Sequence, residues 1–292
     1  MAIIGASKPM FAIYHKSGSA VSYSDGGVLG KLVEFNIELE SSNNNDFYAD
    51  NAVAETQRNK FSSGSITIQT DDLRHDASKA ILGLKEVTLS SIPGITGSVK
   101  ELVFDDDQNT PYLGIGMVQK KQIDNINKWR AIVLKKVSFS VPADAATTEG
   151  EEIDWQTPEL SGTIMRDDSA KHEWKCEATF DTEAEAIAYI RYKLSISASS
   201  NANLAALTIV GVDLTPDFAA ATTSYTATTG DASDIILASA EDVEATVSIE
   251  VNDEPIEAGT QASWETGENE LAVTVTAASG ATKTYTVTVT KT

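Results

Sequence analysis

Apolar and polar residues alternate along much of the first two hundred positions, at Val33, Phe35, Ile37 and Leu39, at Ile66 and Ile68, and at Val137, Phe139 and Val141. A period of two sends such residues to one face of a strand, so the spacing predicts half-buried β-strands. Trp174, Cys176, Ala178 and Phe180 repeat the pattern, which makes the single cysteine a small core residue rather than a nucleophile. Each buried side chain of this kind contributes about 1.5–3 kcal/mol, and a dozen offset much of the chain entropy of one domain. A β-sandwich or barrel is expected.

Two helices interrupt the strands. The first is predicted from Asp71 to Leu82, with Asp71 and Asp72 at its positive end, Leu73, Ala77, Ala80 and Ile81 on one face, and Gly83 as its stop. The second starts at Thr182, whose hydroxyl can cap while Glu185 reaches back, and Ile187 and Ile190 carry an apolar stripe toward Leu194. Between the strand of Val33–Leu39 and that of Ser65–Thr70, the segment Glu40–Lys60 is polar, asparagine-rich and almost without apolar period. Loops above roughly 12–15 residues are usually functional or disordered, so this one is predicted to be an intersubunit arm, with Phe47, Tyr48 and Phe61 as its docking residues.

Around Ser195–Asn203 the chain becomes small and polar, the composition of a linker. The expected division is a first domain over 1–198, a linker over 199–203 and a second domain over 204–292. The last part is almost pure strand pattern, with Val247, Ile249, Val251, then Leu271, Val273, Val275, then Tyr285, Val287, Val289 alternating with Thr, Ser or Glu. Turn signals at Thr215-Pro216-Asp217, Asn252-Asp253, Gly267-Glu268-Asn269 and Ser279-Gly280 cut it into about seven strands, the pattern of an immunoglobulin-like sandwich.

Charge sharpens this division. The chain carries a net charge of −21, of which residues 201–292 hold −12, from 2 basic and 14 acidic residues. Phosphate affinity comes from Lys and Arg releasing counterions, so an acidic chain of this kind is not expected to grip duplex DNA. Acidity also serves the solubility of an abundant protein. No stretch reaches the roughly 18–20 apolar residues of a membrane helix, and the first ten residues lack a signal-peptide pattern, so a cytoplasmic product is expected.

No catalytic motif emerges. His15, His75 and His172 have no metal-ligand spacing, Gly114-Ile115-Gly116 supplies two of the three glycines of a dinucleotide loop, and no Ser lies in a Gly-x-Ser-x-Gly elbow. Asp105, Asp107 and Asn109 imitate the start of a calcium loop, but Thr110 stands at the position needing Gly and Gly116 at that of the bidentate Glu. A solvated turn is expected there. Neither enzymatic activity, nor a cofactor, nor a metal is expected.

From Phe61 to Leu194 the order of features resembles the major tail protein family of long-flexible-tailed bacteriophages. The resemblance rests on Gly64-Ser65-Ile66-Thr67-Ile68, Asp71-Asp72-Leu73, Leu82-Gly83, Gly114-Ile115-Gly116-Met117-Val118, Trp129-Arg130-Ala131-Ile132-Val133-Leu134 and Val137-Ser138-Phe139. Thr147 to Glu149, Ile153, Gln156-Thr157-Pro158-Glu159-Leu160-Ser161-Gly162-Thr163 and Phe180-Asp181-Thr182-Glu183-Ala184-Glu185-Ala186 complete it. Leu204–Thr292 resembles a cadherin-like, immunoglobulin-like β-sandwich through Leu204-Ala205-Ala206-Leu207-Thr208, Leu214-Thr215-Pro216-Asp217-Phe218, Ser224-Tyr225-Thr226, Gly267-Glu268-Asn269 and Thr284-Tyr285-Thr286-Val287-Thr288-Val289.

These resemblances imply a mainly β chain: a tail-tube-type, barrel-forming β-sandwich with two flanking helices, then an immunoglobulin-like sandwich. They further imply a virion structural protein made in the host cytoplasm, self-assembling into hexameric rings stacked as a tail tube. Tape measure and terminator proteins would be its tail partners, and DNA would pass an acidic lumen without specific binding during ejection. The C-terminal sandwich would lie outward, where repetition lets weak contacts with a host-surface glycan or protein gain avidity. The competing classes are a bacterial surface adhesion protein of two β-sandwich modules and a capsid or baseplate protein.

Overall fold

A computed structural model describes residues 2–41, 45–57, 60–143, 148 and 156–292, without the side chains of 41–48 and 56–59. The chain is mainly β and divides into two compact units, Met1–Ser197 and Ala198–Thr292. In the first unit the strands are β1 (Ala2–Ser17), β2 (Ala20–Val28), β3 (Leu32–Ser41), β4 (Asn45–Ala49), β5 (Ala52–Gln57), β6 (Phe61–Thr70), β7 (Lys85–Ser90), β8 (Ser98–Val103), β9 (Leu113–Ile123), β10 (Ile126–Phe139), β11 (Glu159–Met165) and β12 (Lys175–Phe180). Its helices are α1 (His75–Leu82) and α2 (Glu183–Leu194).

One antiparallel sheet organises this unit, in the order β2-β1-β9-β10-β11-β6-β3, with β12 also paired to β10. The fork lies within β10. Trp129–Leu134 pairs with β12, Lys136–Phe139 pairs with β11, and the register against β9 slips between Leu134 and Val137. That slip bends the strand so that it serves both arms of the fork. Phe11, Ile115, Met117, Ile132 and Leu134 face Ile66, Ile68, Leu160, Ile164 and α1 in one core. Their neighbours Met10, Ala12, Val118, Ala131 and Val133 face α2 in another.

The second helix begins as its sequence predicts. Thr182 Oγ1 accepts the Glu185 N–H while the Glu185 carboxylate accepts the Thr182 N–H, a reciprocal capping box. The helix lies directly on the sheet because Gly114 and Gly116 of β9 leave room. A Cβ at Gly116 would overlap Ile190 Cγ2, and one at Gly114 would overlap Leu194 and Tyr23. Those glycines are a packing surface, not a nucleotide loop.

Several expectations are corrected. Helix α1 starts at His75 rather than Asp71, because the Asp71 carboxylate instead accepts the Lys31 and Asp72 N–H groups. Gly83 does end it, at φ 65°. Phe35 and Ile37 pack inward, but the register slips between Leu32 and Glu34, so Leu32 joins them while Val33 turns out, 55% exposed. Leu39 and Val141 are each 52% exposed, Leu39 on an end strand and Val141 beyond the end of β10. The expected loop Glu40–Lys60 contains the hairpin β4–β5, turned by Asp50 and Asn51 at φ 51° and 60°, a conformation these residues tolerate. Thr147, Glu149 and Ile153 lie outside the described residues.

The second unit holds β13 (Leu204–Ile209), β14 (Ser224–Thr229), β15 (Ser233–Ala240), β16 (Thr246–Val251), β17 (Glu254–Ile256), β18 (Gln261–Ser263), β19 (Gly267–Thr276) and β20 (Thr282–Lys291). A three-stranded sheet β13-β15-β18 and a five-stranded sheet β14-β20-β19-β16-β17 enclose Leu207, Ile236, Ile249, Leu271, Val273, Tyr285 and Val287. Residues 199–203, expected as a linker, belong to this unit: the Ser199 carbonyl accepts Ser279 N–H, Ala202 enters the core, and Asn201 and Asn203 both donate to Glu241.

Gly267-Glu268-Asn269, expected as a turn, opens β19. Asn269 is 2% exposed, and its amide spans the approach to that strand. Its Oδ1 accepts Glu265 N–H at 2.8 Å and Asn252 Nδ2 at 3.0 Å, while its Nδ2 donates to Glu265 O at 2.8 Å. Asn252 in turn accepts Glu270 N–H, which ties the β16–β17 turn to β19.

Two substitutions test these packing arguments. Gly116→Val should lower stability by about 1–3 kcal/mol through overpacking against Ile190, with part restored by Ile190→Ala, as read by chemical denaturation. Asn269→Ala should cost about 2–3 kcal/mol because it orphans buried backbone groups. A change below about 0.5 kcal/mol in either would contradict the assignment.

Candidate functional site

Among the described residues the sheet of the first unit is open: β2 pairs only with β1 and β3 only with β6, so each leaves one unpaired edge, over 9 and 10 residues respectively. An exposed edge presents backbone N–H and C=O groups to any strand that approaches. Exposed Val33 and Leu39 lie on β3, adding apolar surface to one edge.

The three residues expected to form an arm are not brought together by any described contact. Phe47 and Tyr48 stand on β4, with side chains outside the described residues. Phe61, at the start of β6, stacks on Trp174 with ring centroids 4.2 Å apart and planes 9° apart, and its carbonyl accepts from Arg166. Its ring is therefore already engaged within its own unit.

A polar cluster pins the segment between β11 and β12. Asp168 accepts from Tyr14 at 2.8 Å, Lys136 at 2.7 Å and Lys16 at 3.1 Å, and its own N–H donates to the Tyr14 oxygen. Lys136 also lies over the rings of Tyr112 and Tyr14, at 4.3 and 5.1 Å. The hydrogen bonds from Lys136, Tyr14 and Lys16 hold the Asp168 carboxyl well below its ordinary value. Burial pushes the Tyr14 hydroxyl up to about 12, and burial pushes Tyr23 up as well. A carboxylate held ionised and phenols held protonated are poor proton shuttles near neutrality, so the arrangement is a clamp. Beside it lies a cleft of about 520 Å³ lined by Ser22, Tyr23, Lys135, Ser169, Lys171 and Lys193.

The opposite end of β9 is cationic. On the sheet face that begins with Met117 and Ile132, the next positions are Gln119, Lys121, Arg130 and Lys128, with Lys175 and Glu177 on β12. Arg130 donates to Gln119 and Glu177, Lys175 pairs with Glu177 at 2.7 Å, and Lys128 pairs with Asp181. Lys121 has no ion pair among the described residues. Burial, followed by the nearby charge of Arg130, depresses its pKa. This cluster, invisible to motif reading, follows from the alternation of Gln119, Lys121 and of Lys128, Arg130 across paired strands.

The histidines remain apart: His15 meets Ser24, His75 meets Glu86 and His172 meets the Asp167 carbonyl. Asp105–Asp107 is an exposed turn in which Asp105 Oδ1 accepts Asp107 N–H. Among the described residues no three His, Cys, Asp or Glu side chains converge to hold a metal. Cys176 is a half-buried free thiol packed beneath α2. In the second unit, Ala206, Thr208, Leu237, Ser239 and Gly259 line an uncharged cleft of about 450 Å³ on the outer side of β13 and β15.

Residues 192–292 match the family model described as a cadherin-like beta sandwich domain, which agrees with the two-sheet architecture of the second unit. No curated protein matches the chain.

The clamp gives a pH signature. Asp168 titrates lower in the folded chain than the ordinary 3.8, so its stabilising contribution is present above that value and is lost as pH falls toward the folded one. Asp168→Asn should therefore lower the thermal midpoint at pH 7, with the gap to wild type narrowing below pH 3.8. A gap that stays constant across a pH series of calorimetric scans would show that the ionised carboxylate is not what stabilises the segment.

Proposed function

We propose that this chain is a non-enzymatic structural subunit of a bacteriophage tail tube, in which copies join edge to edge into rings and rings stack around a DNA-conducting lumen. The observation that carries this reading is the antiparallel sheet whose end strands β2 and β3 have, among the described residues, free outer edges. Long unpaired edges invite uncontrolled association unless assembly closes them, and a shared barrel removes them altogether. The resemblance of Phe61–Leu194 to major tail proteins supports the same reading and supplies its sixfold ring, its virion location and its tape measure and terminator partners. The cadherin-like second unit is then a decoration carried at high density, where weak host-surface contacts gain avidity.

A second reading is a surface-binding protein. It is favoured by the cadherin-like match and by the uncharged cleft between β13, β15 and Gly259 in an otherwise acidic unit.

Negative-stain electron microscopy of the concentrated chain separates the two. Rings or hollow tubes are expected, and they should persist when residues 198–292 are deleted. Monomers at every concentration, together with retention on a glycan array, would favour the binding protein instead.

A further inference from the structure

The cationic end of the first unit is unusual in a chain of net charge −21. Lys121, Lys128 and Arg130 lie at this end of the sheet, Lys175 joins them through Glu177, and Asp124 on the β9–β10 turn, Glu177 and Asp181 are their acidic neighbours. One group there is left without a counter-ion: Lys121 has no ion pair among the described residues, whereas Arg130 is paired with Glu177.

The complementary feature lies toward the other end of the same strand. Asp105, Asp106 and Asp107 are consecutive and exposed, preceded by Phe104, which is 57% exposed. Asp106 and Asp107 have no ion pair among the described residues. Their turn is already ordered: the Asp105 carbonyl accepts Gln108 N–H, and Gln108 Nε2 donates to the Leu82 carbonyl at the end of α1. A preordered turn loses little entropy on docking. The turn leads into β9 at Leu113, whereas Lys121 lies near its Ile123 end. At about 3.3 Å per residue the two positions on the strand, Leu113 and Lys121, are about 26 Å apart.

We infer that the cationic end formed by Lys121, Lys128, Arg130 and Lys175 receives the Asp105–Asp107 turn of a second copy, a head-to-tail contact that adds copies along the direction of β9. A surface meeting a different surface on its partner propagates instead of closing as a dimer. The partner is this chain rather than nucleic acid on grounds of charge. The whole molecule repels duplex, and Asp124, Glu177 and Asp181 leave the cationic end with too small an excess for a polyanion, while a short carboxylate turn matches it. The inference rests on the reading of the chain as a self-assembling subunit, and it names the contact between successive copies, as distinct from the strand edges that would close a ring.

Charge reversal tests it on the full chain by sedimentation velocity, with folding checked by circular dichroism. Lys121→Glu with Lys128→Glu, and separately Asp106→Lys with Asp107→Lys, should each weaken association at least about tenfold relative to wild type, in low salt. Mixing the two variants, or combining all four substitutions in one chain, should restore it, because each reversed turn then meets a reversed socket. Misfolding of one variant cannot imitate that rescue. Failure of both the mixture and the combined chain to associate would overturn the inference, as would wild-type chain that stays monomeric at every salt concentration. Anisotropy titration with labelled duplex is the remaining arm: binding that disappears in the lysine variant while self-association is unchanged would assign the cationic end to nucleic acid instead. Salt-sensitive linear association without rings or tubes in the microscope would preserve this contact and reject the tail-tube reading.

Discussion

The central stretches of β1, β9 and β10 are buried on both faces, and the rest of the first unit is arranged around that constraint. Their odd and even positions serve different cores, Ile115 and Met117 toward α1 and β6, Gly116 and Val118 toward α2. A strand covered on both sides cannot afford polar alternation, which is why Leu113–Val118 and Ala131–Leu134 read as continuous runs of apolar or small residues. Side-chain volume must then be shared between layers. The glycines at 114 and 116 give way to Leu194 and Ile190, so α2 sits against the sheet without a gap.

The apolar face does not extend over the whole strand. Beyond Met117 and Ile132 the same face becomes Gln119, Arg130 and Lys121, where long cationic stems can cover sheet while their charged ends stay near water. At the other end of β9, Tyr112 leads into the Tyr14–Lys136–Asp168 clamp. A single strand thus connects an ionised clamp, a dry centre and a cationic end. Burial, followed by the charge of Arg130, depresses the pKa of Lys121.

In the second unit, side chains bonded to backbone and to one another secure the strand ends. Asn269 and Asn252 bind backbone at the start of β19, and the Tyr285 hydroxyl accepts Leu204 N–H while donating to the Ala220 carbonyl. Trp264 donates to Asp234 at 2.8 Å, giving its buried indole N–H a partner. These bonds hold strand ends together without a disulfide, in a unit whose acidic residues face mostly outward.

What the sequence determined by itself was local or periodic. The capping box of α2 joins residues three apart, Gly83 stops α1 at its own backbone angle, and apolar alternation repeats within β16, β19 and β20. Such features need no knowledge of what packs against them. Tertiary structure alone decided the phase of Val33, the ordering of Gly267–Asn269 as strand, the stacking of Phe61 on Trp174, and the assembly of Tyr14 with Asp168 across 154 positions. It also placed Lys121 beside Arg130 while neighbouring Lys120 turned to Trp129 on the opposite face. Each of these depends on strand register, and a slip of one residue exchanges the two faces of a strand, so no local pattern could specify them.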